Sequence, residues 1–408
     1  MVVTIRPKKL KGEVNVPPSK SVAHRLVIAA ALAKGTSKVE NLSFSKDITA
    51  TVNAMRALGA KIDIKGDTAL IRGIEKVPER AVIDCCESGS TLRFLIPVAC
   101  ALGVETTFLG QGKLPQRPIT PYLEELPKHG AEFEYQGTMP FTVKGKLKSG
   151  EYRIPGDISS QFVTGLIFAL ALLKGESRIT LTTPLQSRPY VDITASCLEK
   201  CGVRVEETAE GYAVKGGEMK GFDAAVEGDY SQAAFFCVAN SLGSDVDILG
   251  LDEKSCQGDK KIVEICKEIV YNENGGLKAF ELDCSDIPDL VPILAVLASF
   301  CEGKSRISNV ARLRIKESDR LSAISSCLNA LGGKVTPGED FLEIQGVQSL
   351  NGGTVDCFND HRIAMAAAVA ATRSTAPVTL LGAQCVEKSY PDFFRVYKNL
   401  GGDITVEK

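Results

Sequence analysis

Histidine is scarce in this chain, Cys-x-x-Cys pairs are missing, and no uncharged apolar run is long enough to span a bilayer. With three histidines and an odd total of thirteen cysteines, neither a zinc site nor a disulfide framework is expected. The cysteines read instead as reduced, mostly buried small hydrophobes. Residues 1–10 carry Arg6, Lys8 and Lys9 but no apolar signal core, so a cytoplasmic protein is expected. A net charge of −2 offers little general attraction to nucleic acid or to a membrane surface. Nucleotide signatures are absent too: there is no Gly-x-x-x-x-Gly-Lys-Ser/Thr, and no Gly-x-Gly-x-x-Gly follows a predicted strand. What remains is a soluble enzyme of 408 residues, more than one core usually holds, and so two domains.

What the chain does have is repetition. Six times a polar strand end runs into an apolar, alanine-rich helix, with predicted openings at Ser19, Ser88, Ser159, Ser231, Ser285 and Asn359. Five of these helices close on Gly35, Gly103, Gly175, Gly243 and Gly303, and a second helix in each unit ends at Gly59, Gly130, Gly202, Gly276, Gly332 or Gly401. Two markers in step imply six copies of one unit: strand, buried helix, strand, amphipathic helix, hairpin. First strands are predicted at 12–16, 81–84, 151–154, 224–227, 280–283 and 354–357. The strands after the buried helices are predicted at 37–42, 105–109, 177–182, 245–249, 305–310 and 377–381. The fourth unit is too short to keep its hairpin. Segments apolar nearly all round, such as 162–173 and 364–371, belong inside a core. The sixth unit stops one strand short and residues 1–10 offer that strand, which makes one domain discontinuous. A repeated strand-helix unit is by itself only a scaffold; function has to be read at the helix starts.

A helix N-terminus exposes unpaired N–H groups and partial positive charge, so several such ends together make an anion site. The first helix opens with Lys20, Ser21 and Arg25, and the second with Gly89, where the backbone can be approached closely. The third opens Ser159, Ser160, Gln161, and the sixth Asn359, Asp360, His361, Arg362. Arg117, Ser187-Arg188 and Lys388 are predicted at starts of second helices. The fifth unit adds Arg312, Arg314, Lys316 and Arg320, with Lys316 and Arg320 one turn apart on a starting helix. Such a charge run is either a solvated face or part of a site for small, multiply anionic, phosphate-bearing ligands. Asp289 and Glu317 stand among these cations, either as caps or as an acid and a base.

At these residues the chain resembles the 5-enolpyruvylshikimate-3-phosphate synthase family, from end to end. Pro-Ser-Lys-Ser-x-x-x-Arg, Gly-Ser-Thr-x-Arg, Gln-Arg-Pro-Ile, Ser-Ser-Gln-Phe, Ser-Arg-Pro-Tyr, Lys-Glu-Ser-Asp-Arg and Asn-Asp-His-Arg occur in family order. The resemblance implies an α/β fold of two inside-out domains, each of three repeats with buried helices, spanning 19–226 and 1–18 plus 227–408. It implies transfer of the enolpyruvyl group of phosphoenolpyruvate to the 5-hydroxyl of shikimate 3-phosphate by addition and elimination in the cleft between the domains. No metal or organic cofactor takes part in that reaction, the protein is expected to be a monomer, and the herbicide glyphosate occupies the phosphoenolpyruvate site. Carried over by position, Lys20, Ser21, Arg25, Ser159, Ser160, Gln161, Ser187, Asp289 and Lys316 are shikimate 3-phosphate contacts. Lys20, Gly89, Arg117, Gln161, Arg320, Arg362 and Lys388 form the phosphoenolpyruvate set. Asp289, Glu317 and Lys20 are the expected catalytic groups. Two positions depart from the family pattern, Glu87 and Arg312, where many members have asparagine. Two other readings stand beside this one. The sister enzyme acting on UDP-N-acetylglucosamine commonly carries a reactive cysteine where this chain has Gly112, and a non-catalytic anion-binding protein would not need Asp289 and Glu317 together.

Overall fold

The computed structural model describes residues 1–269 and 276–407. The chain divides into two compact units, Pro18–Glu227 in the middle and Met1–Pro17 with Gly228–Lys408 around it, so Pro18 and Glu227 both lie with the middle unit. Each unit has its own hydrophobic core.

In the middle unit three four-stranded sheets share one plan. In the second of them Arg80–Asp84 runs parallel to Glu105–Leu109, which pairs antiparallel with Phe141–Gly145, which in turn hairpins with Ala131–Glu134. A parallel pair needs a crossover, and helix Gly89–Leu102 supplies it. Helices Lys20–Leu32, Gly89–Leu102 and Ser160–Leu172 are apolar on all sides and are buried along nearly their whole length. Gly165 lets two of them touch: a β-carbon there would collide with the Arg93 carbonyl and the Tyr122 hydroxyl. That hydroxyl lies 2.8 Å from both the Arg93 and the Phe162 carbonyl oxygens and ties the two helices together.

The other unit repeats the plan twice in full and once in part. Strand Val2–Arg6 lies between Val378–Leu381 and Asp403–Glu407, antiparallel to both, and so fills the place that the sixth repeat leaves open. The fourth repeat has only a two-stranded sheet, Lys11–Asn15 parallel to Asp245–Leu249. Here the structure corrects the sequence reading. The strand before the first buried helix pairs in the fourth repeat, and Asp223–Ala225, before the fourth buried helix, pairs with Thr36–Glu40 in the first. The two first strands have changed places, because each closes a sheet in the unit opposite to the helix that follows it.

Three helix openings also differ from expectation. The fourth buried helix, Tyr230–Ser241, is capped by Asp229, whose side chain accepts from the Gln232 N–H at 3.1 Å, with Ser231 already inside the helix. The sixth, His361–Ala370, is capped by Asp360, because Asn359 is held left-handed at φ +52°. The fifth, Val291–Ala298, is preceded by a 3₁₀ turn at Pro288–Leu290, since a proline suits a first position whose N–H has no partner to find. Ser285 ends a turn instead, its N–H donating to Asp283 at 2.8 Å. Gly59, Gly130, Gly202, Gly332 and Gly401 all have positive φ, as left-handed helix ends require. The predicted helix end at Gly276 adjoins 270–275, which lie outside the described residues. All thirteen cysteines carry free thiols and ten are buried, as small hydrophobes are.

Candidate active site

In the middle unit the first turns of the three buried helices hold the residues expected at the site. Lys20 opens the first, behind the Ser19 cap, and its Nζ lies 2.9 Å from Asp47 Oδ2. Asp47 sits in the first turn of helix Lys46–Ala57, where the helix dipole favours a carboxylate. Ser21 is half-buried beside Lys20. Arg25, one turn on, is nearly sealed in. Its Nε donates to Thr194 Oγ1 at 2.8 Å and one terminal nitrogen donates to the Ser21 carbonyl at 2.8 Å, while the guanidinium lies over the Phe94 ring. The structure thus makes Arg25 a brace between helices as well as a cation.

Gly89 begins the second helix after the Ser88 cap, and the Arg117 guanidinium lies directly over it. Ser159 caps the third helix, and Ser160 and Gln161 follow in its first turn. Gln161 is held at both ends: its carbonyl accepts from Arg93 at 2.8 Å and its amide donates to Ser90 at 3.0 Å. Arg93, 2% exposed, also donates to the Pro118 carbonyl at 3.1 Å, so it orients both Gln161 and the segment that carries Arg117. Ser187 adopts left-handed geometry at φ +59° ahead of helix Arg188–Lys200, a strained conformation of the kind that clusters at functional sites. Arg188 does begin that helix, but it is exposed and pairs with Glu207. Arg117 lies just after a 3₁₀ turn, Leu114–Gln116, and not at a helix start.

In the other unit the charged groups converge on Arg320. This buried guanidinium donates to three carboxylates: Asp289 Oδ1 at 2.9 Å, Glu317 Oε2 at 2.7 Å and Asp360 Oδ2 at 2.9 Å. Asp289 accepts a second bond, 2.7 Å, from Arg362 through Oδ2. Burial pushes the Asp289 carboxyl up, but Arg362, Lys316 and Arg320 outweigh it and hold it well below the usual carboxylate range. The Asp289 carboxylate is therefore ionised at neutral pH and already aligned by two guanidinium groups. Burial lowers Lys316 to about 8; Asp289 and Glu317 pull it up, Arg320 and Arg312 push it down. Lys388 donates to the Asn359 carbonyl at 2.7 Å, which the left-handed turn at Asn359 presents to it.

Two expectations fail in this unit. Lys316 and Arg320 do not share a helix face: Lys316 is extended backbone after the 3₁₀ turn Ala311–Ile315, and helix Arg320–Ala330 starts only at Arg320, capped by Asp319. Their charges still interact, across a turn instead of along a helix. Lys388 ends the 3₁₀ helix Ala383–Lys388, and the following helix begins at Phe393.

Sequence reasoning missed Asp47, Arg93 and Asp360 as working parts. Arg93 and Asp360 stood inside quoted motifs, and their spacing from Gly89 and Arg362 was the available signal. Asp47 had none, because its meeting with Lys20 depends on how two helices pack. Among the described residues no cluster of histidine, cysteine and carboxylates is arranged to hold a metal ion, and no helix is long and apolar enough to cross a membrane.

Residues 5–397 match the family model for EPSP synthase (3-phosphoshikimate 1-carboxyvinyltransferase). The chain belongs to the EPSP synthase family. It is a transferase of the shikimate pathway. The 3-phosphoshikimate 1-carboxyvinyltransferase of Clostridium kluyveri is 47% identical over 416 residues and aligns with 98% of each chain. That of Clostridium botulinum (strain Alaska E43 / Type E3) is 44% identical over 422 residues, covering 98% of this chain and 97% of its own. In three dimensions the chain resembles EPSP synthase from Acinetobacter baumannii, solved at 2.37 Å, with a TM-score of 0.82 at 27% identity, over 99% of this chain and 100% of that one.

Proposed function

We propose that the protein transfers the enolpyruvyl group of phosphoenolpyruvate to the 5-hydroxyl of shikimate 3-phosphate and releases phosphate. The observation that carries this reading is the convergence of Asp289 and Glu317 on one buried guanidinium, Arg320, with Arg362 and Lys316 in the same electrostatic group. A passive anion site has no use for two carboxylates beside its cations, whereas an addition and elimination needs a base and an acid.

In the middle unit Lys20, Ser21, Arg25, Ser159, Ser160, Gln161 and Ser187 contact shikimate 3-phosphate, and Lys20, Gly89, Arg117 and Gln161 contact phosphoenolpyruvate. In the other unit Asp289 and Lys316 serve the first ligand, and Arg320, Arg362 and Lys388 the second. Asp289 is hydrogen-bonded in place by Arg320 and Arg362, which make it a weak base; the 5-hydroxyl becomes strongly acidic as its oxygen bonds to the cationic carbon, so its proton can pass to Asp289. Glu317, in its protonated form and assisted by Lys20, gives its proton to the methylene carbon of phosphoenolpyruvate and is left as a carboxylate. The neighbouring carbon gains cationic character and is captured by the hydroxyl oxygen. Loss of phosphate then takes a proton back from the new methyl group and restores the vinyl ether. The guanidinium groups meet charge where it builds on phosphate and carboxylate oxygens, at no cost of reorganisation.

A phosphate-release assay tests the reading. Purified protein with both substrates is expected to release phosphate in the presence of chelator. Release that stops with chelator, or that requires UDP-N-acetylglucosamine in place of shikimate 3-phosphate, would overturn it.

A further inference from the structure

His24 lies beside Arg25 in the first buried helix, is 1% exposed, and has no part in the scheme above. Its Nδ1 is 2.7 Å from the Thr51 hydroxyl, which is 2.7 Å from the Thr91 hydroxyl, and Thr91 Oγ1 donates to Ser88 Oγ at 2.8 Å. The direction of the chain follows from counting hydrogens, because a hydroxyl has only one to give. The Thr91 hydrogen is committed to Ser88, so Thr51 must donate to Thr91. The Thr51 oxygen therefore accepts from His24, and Nδ1 carries the proton. That leaves Nε2 with its lone pair, buried and without a hydrogen-bond partner among the described residues. A second proton on this ring is opposed by burial first and then by the charges of Lys20 and Arg25, which together hold its pKa well below the usual histidine value. The Phe94 ring stands edge-on to the imidazole with centroids 6.5 Å apart.

The chain ends where the second buried helix begins. Ser88 is the cap of Gly89–Leu102 and receives two bonds from Thr91, one from the hydroxyl and one from the N–H at 3.1 Å. The next two residues are Gly89, over which Arg117 lies, and Ser90, which accepts from Gln161. The relay thus joins the turn that carries Lys20 and Ser21 to the turn that carries Gly89 and Ser90, by way of helix Lys46–Ala57, which also supplies the Asp47 partner of Lys20.

We propose that His24 is a positioning residue for the transfer: as a neutral imidazole donating through Thr51 and Thr91, it fixes Ser88 and with it the turn at which Gly89 and Ser90 set Arg117 and Gln161. This rests on the reading of that turn as the phosphoenolpyruvate subsite.

Two measurements test it, and only one depends on that reading. In nitrogen-15 histidine spectra of the wild-type protein, recorded from about pH 5.5 to about 8 across the range where free histidine titrates, one ring is expected to stay neutral with Nδ1 protonated and Nε2 bare. The same signal is expected to be missing from His24→Asn. A His24 ring that titrates, or carries its proton on Nε2, overturns the relay whatever the reaction. Steady-state kinetics give the second readout. The side-chain amide of asparagine can replace Nδ1 as donor to Thr51, whereas glutamine places its amide one bond further out. His24→Gln and Thr51→Val are expected to raise the Michaelis constant for phosphoenolpyruvate about five- to tenfold, as loss of a buried hydrogen bond does, with kcat changed by less than about twofold. His24→Asn is expected to stay close to wild type. Equal losses in the Asn and Gln variants, or an unchanged Michaelis constant in Thr51→Val, overturn the positioning role. A wild type that shows the expected ring but no transfer overturns the reaction and the positioning role with it, and is told apart from failure of the relay by the ring spectrum.

Discussion

Arg117 lies across Gly89. A β-carbon built on Gly89 would fall 2.7 Å from one terminal nitrogen of Arg117 and 2.8 Å from its ζ-carbon. The crowding is against the tip of a long side chain and not against backbone, so Gly89→Ala is expected to fold with a melting temperature near wild type while displacing the guanidinium. Loss of a hydrogen bond to a charged group is worth about 1.5–3 kcal/mol. The Michaelis constant for phosphoenolpyruvate is therefore expected to rise by about tenfold or more, and inhibition by glyphosate to weaken with it. If both are unchanged, Gly89 is a helix-start residue and nothing more.

Asp289→Asn and Glu317→Gln separate chemistry from binding. Each removes a proton carrier and keeps an oxygen that can still accept from Arg320, so turnover is expected to fall by at least about 10²-fold, the lower end for general acid-base groups. Michaelis constants are expected to move much less. Because Arg320 is 2% exposed and served by three carboxylates, melting temperatures should be measured alongside. Near-normal turnover in either folded variant would return that carboxylate to a structural role.

Lys316 gives the charged cluster around Arg320 a pH dependence of known sign. Burial brings its ammonium down to about 8, so it is charged below that pH and neutral above it. Affinity for shikimate 3-phosphate, measured by titration calorimetry, is expected to be highest below about pH 8 and to fall as the pH rises through it, since the anion is bound with a proton that must then be taken up. Lys316→Arg should carry the affinity to higher pH. A flat profile in the wild type would show that Lys316 does not face the phosphate.

Asp259, in the same unit as Lys316, links pH to stability. Burial, then the Asp289 carboxylate, raises it to about 7, against Arg362 and the hydrogen bond from Ser231. The folded protein thus holds a proton that the unfolded chain loses near the ordinary aspartate value, and the associated stability is present at low pH and lost as pH rises toward about 7. Asp259→Asn has no such proton to lose. Its melting temperature is expected to gain on wild type between about pH 5 and about pH 7.5, and a constant difference across that range would contradict the assignment.

The repeats were legible because each leaves an all-apolar helix and five of them a left-handed glycine after the next helix, and neither mark depends on distant residues. The caps were less so: Asp229 and Asp360 compete with Ser231 and Asn359 as capping side chains one or two places away, and only backbone geometry decides between them. Pairing across long stretches was not legible at all. The exchange of Lys11–Asn15 and Asp223–Ala225 between repeats, and the meeting of Lys20 with Asp47, are set by packing over 27 residues or more of chain, for which the sequence carries no local mark. The cations of the site could be read from their motifs, but the three-carboxylate grip on Arg320 could not. Lys316 was misplaced because a charge pair four residues apart looks the same on a helix and across the end of a 3₁₀ turn.

Transfer through a protonated intermediate is the central claim, and isotope incorporation tests it most directly. With both substrates in deuterium oxide, the acid group delivers a deuteron to the methylene carbon, and phosphate loss then removes one of three hydrogens from the resulting methyl group. Mass spectrometry is expected to find deuterium in the vinyl group of the product, and also in recovered phosphoenolpyruvate where the addition reverses. Product formed with no deuterium on its vinyl carbon would contradict the account, since transfer would then have proceeded without the proton traffic assigned to Glu317.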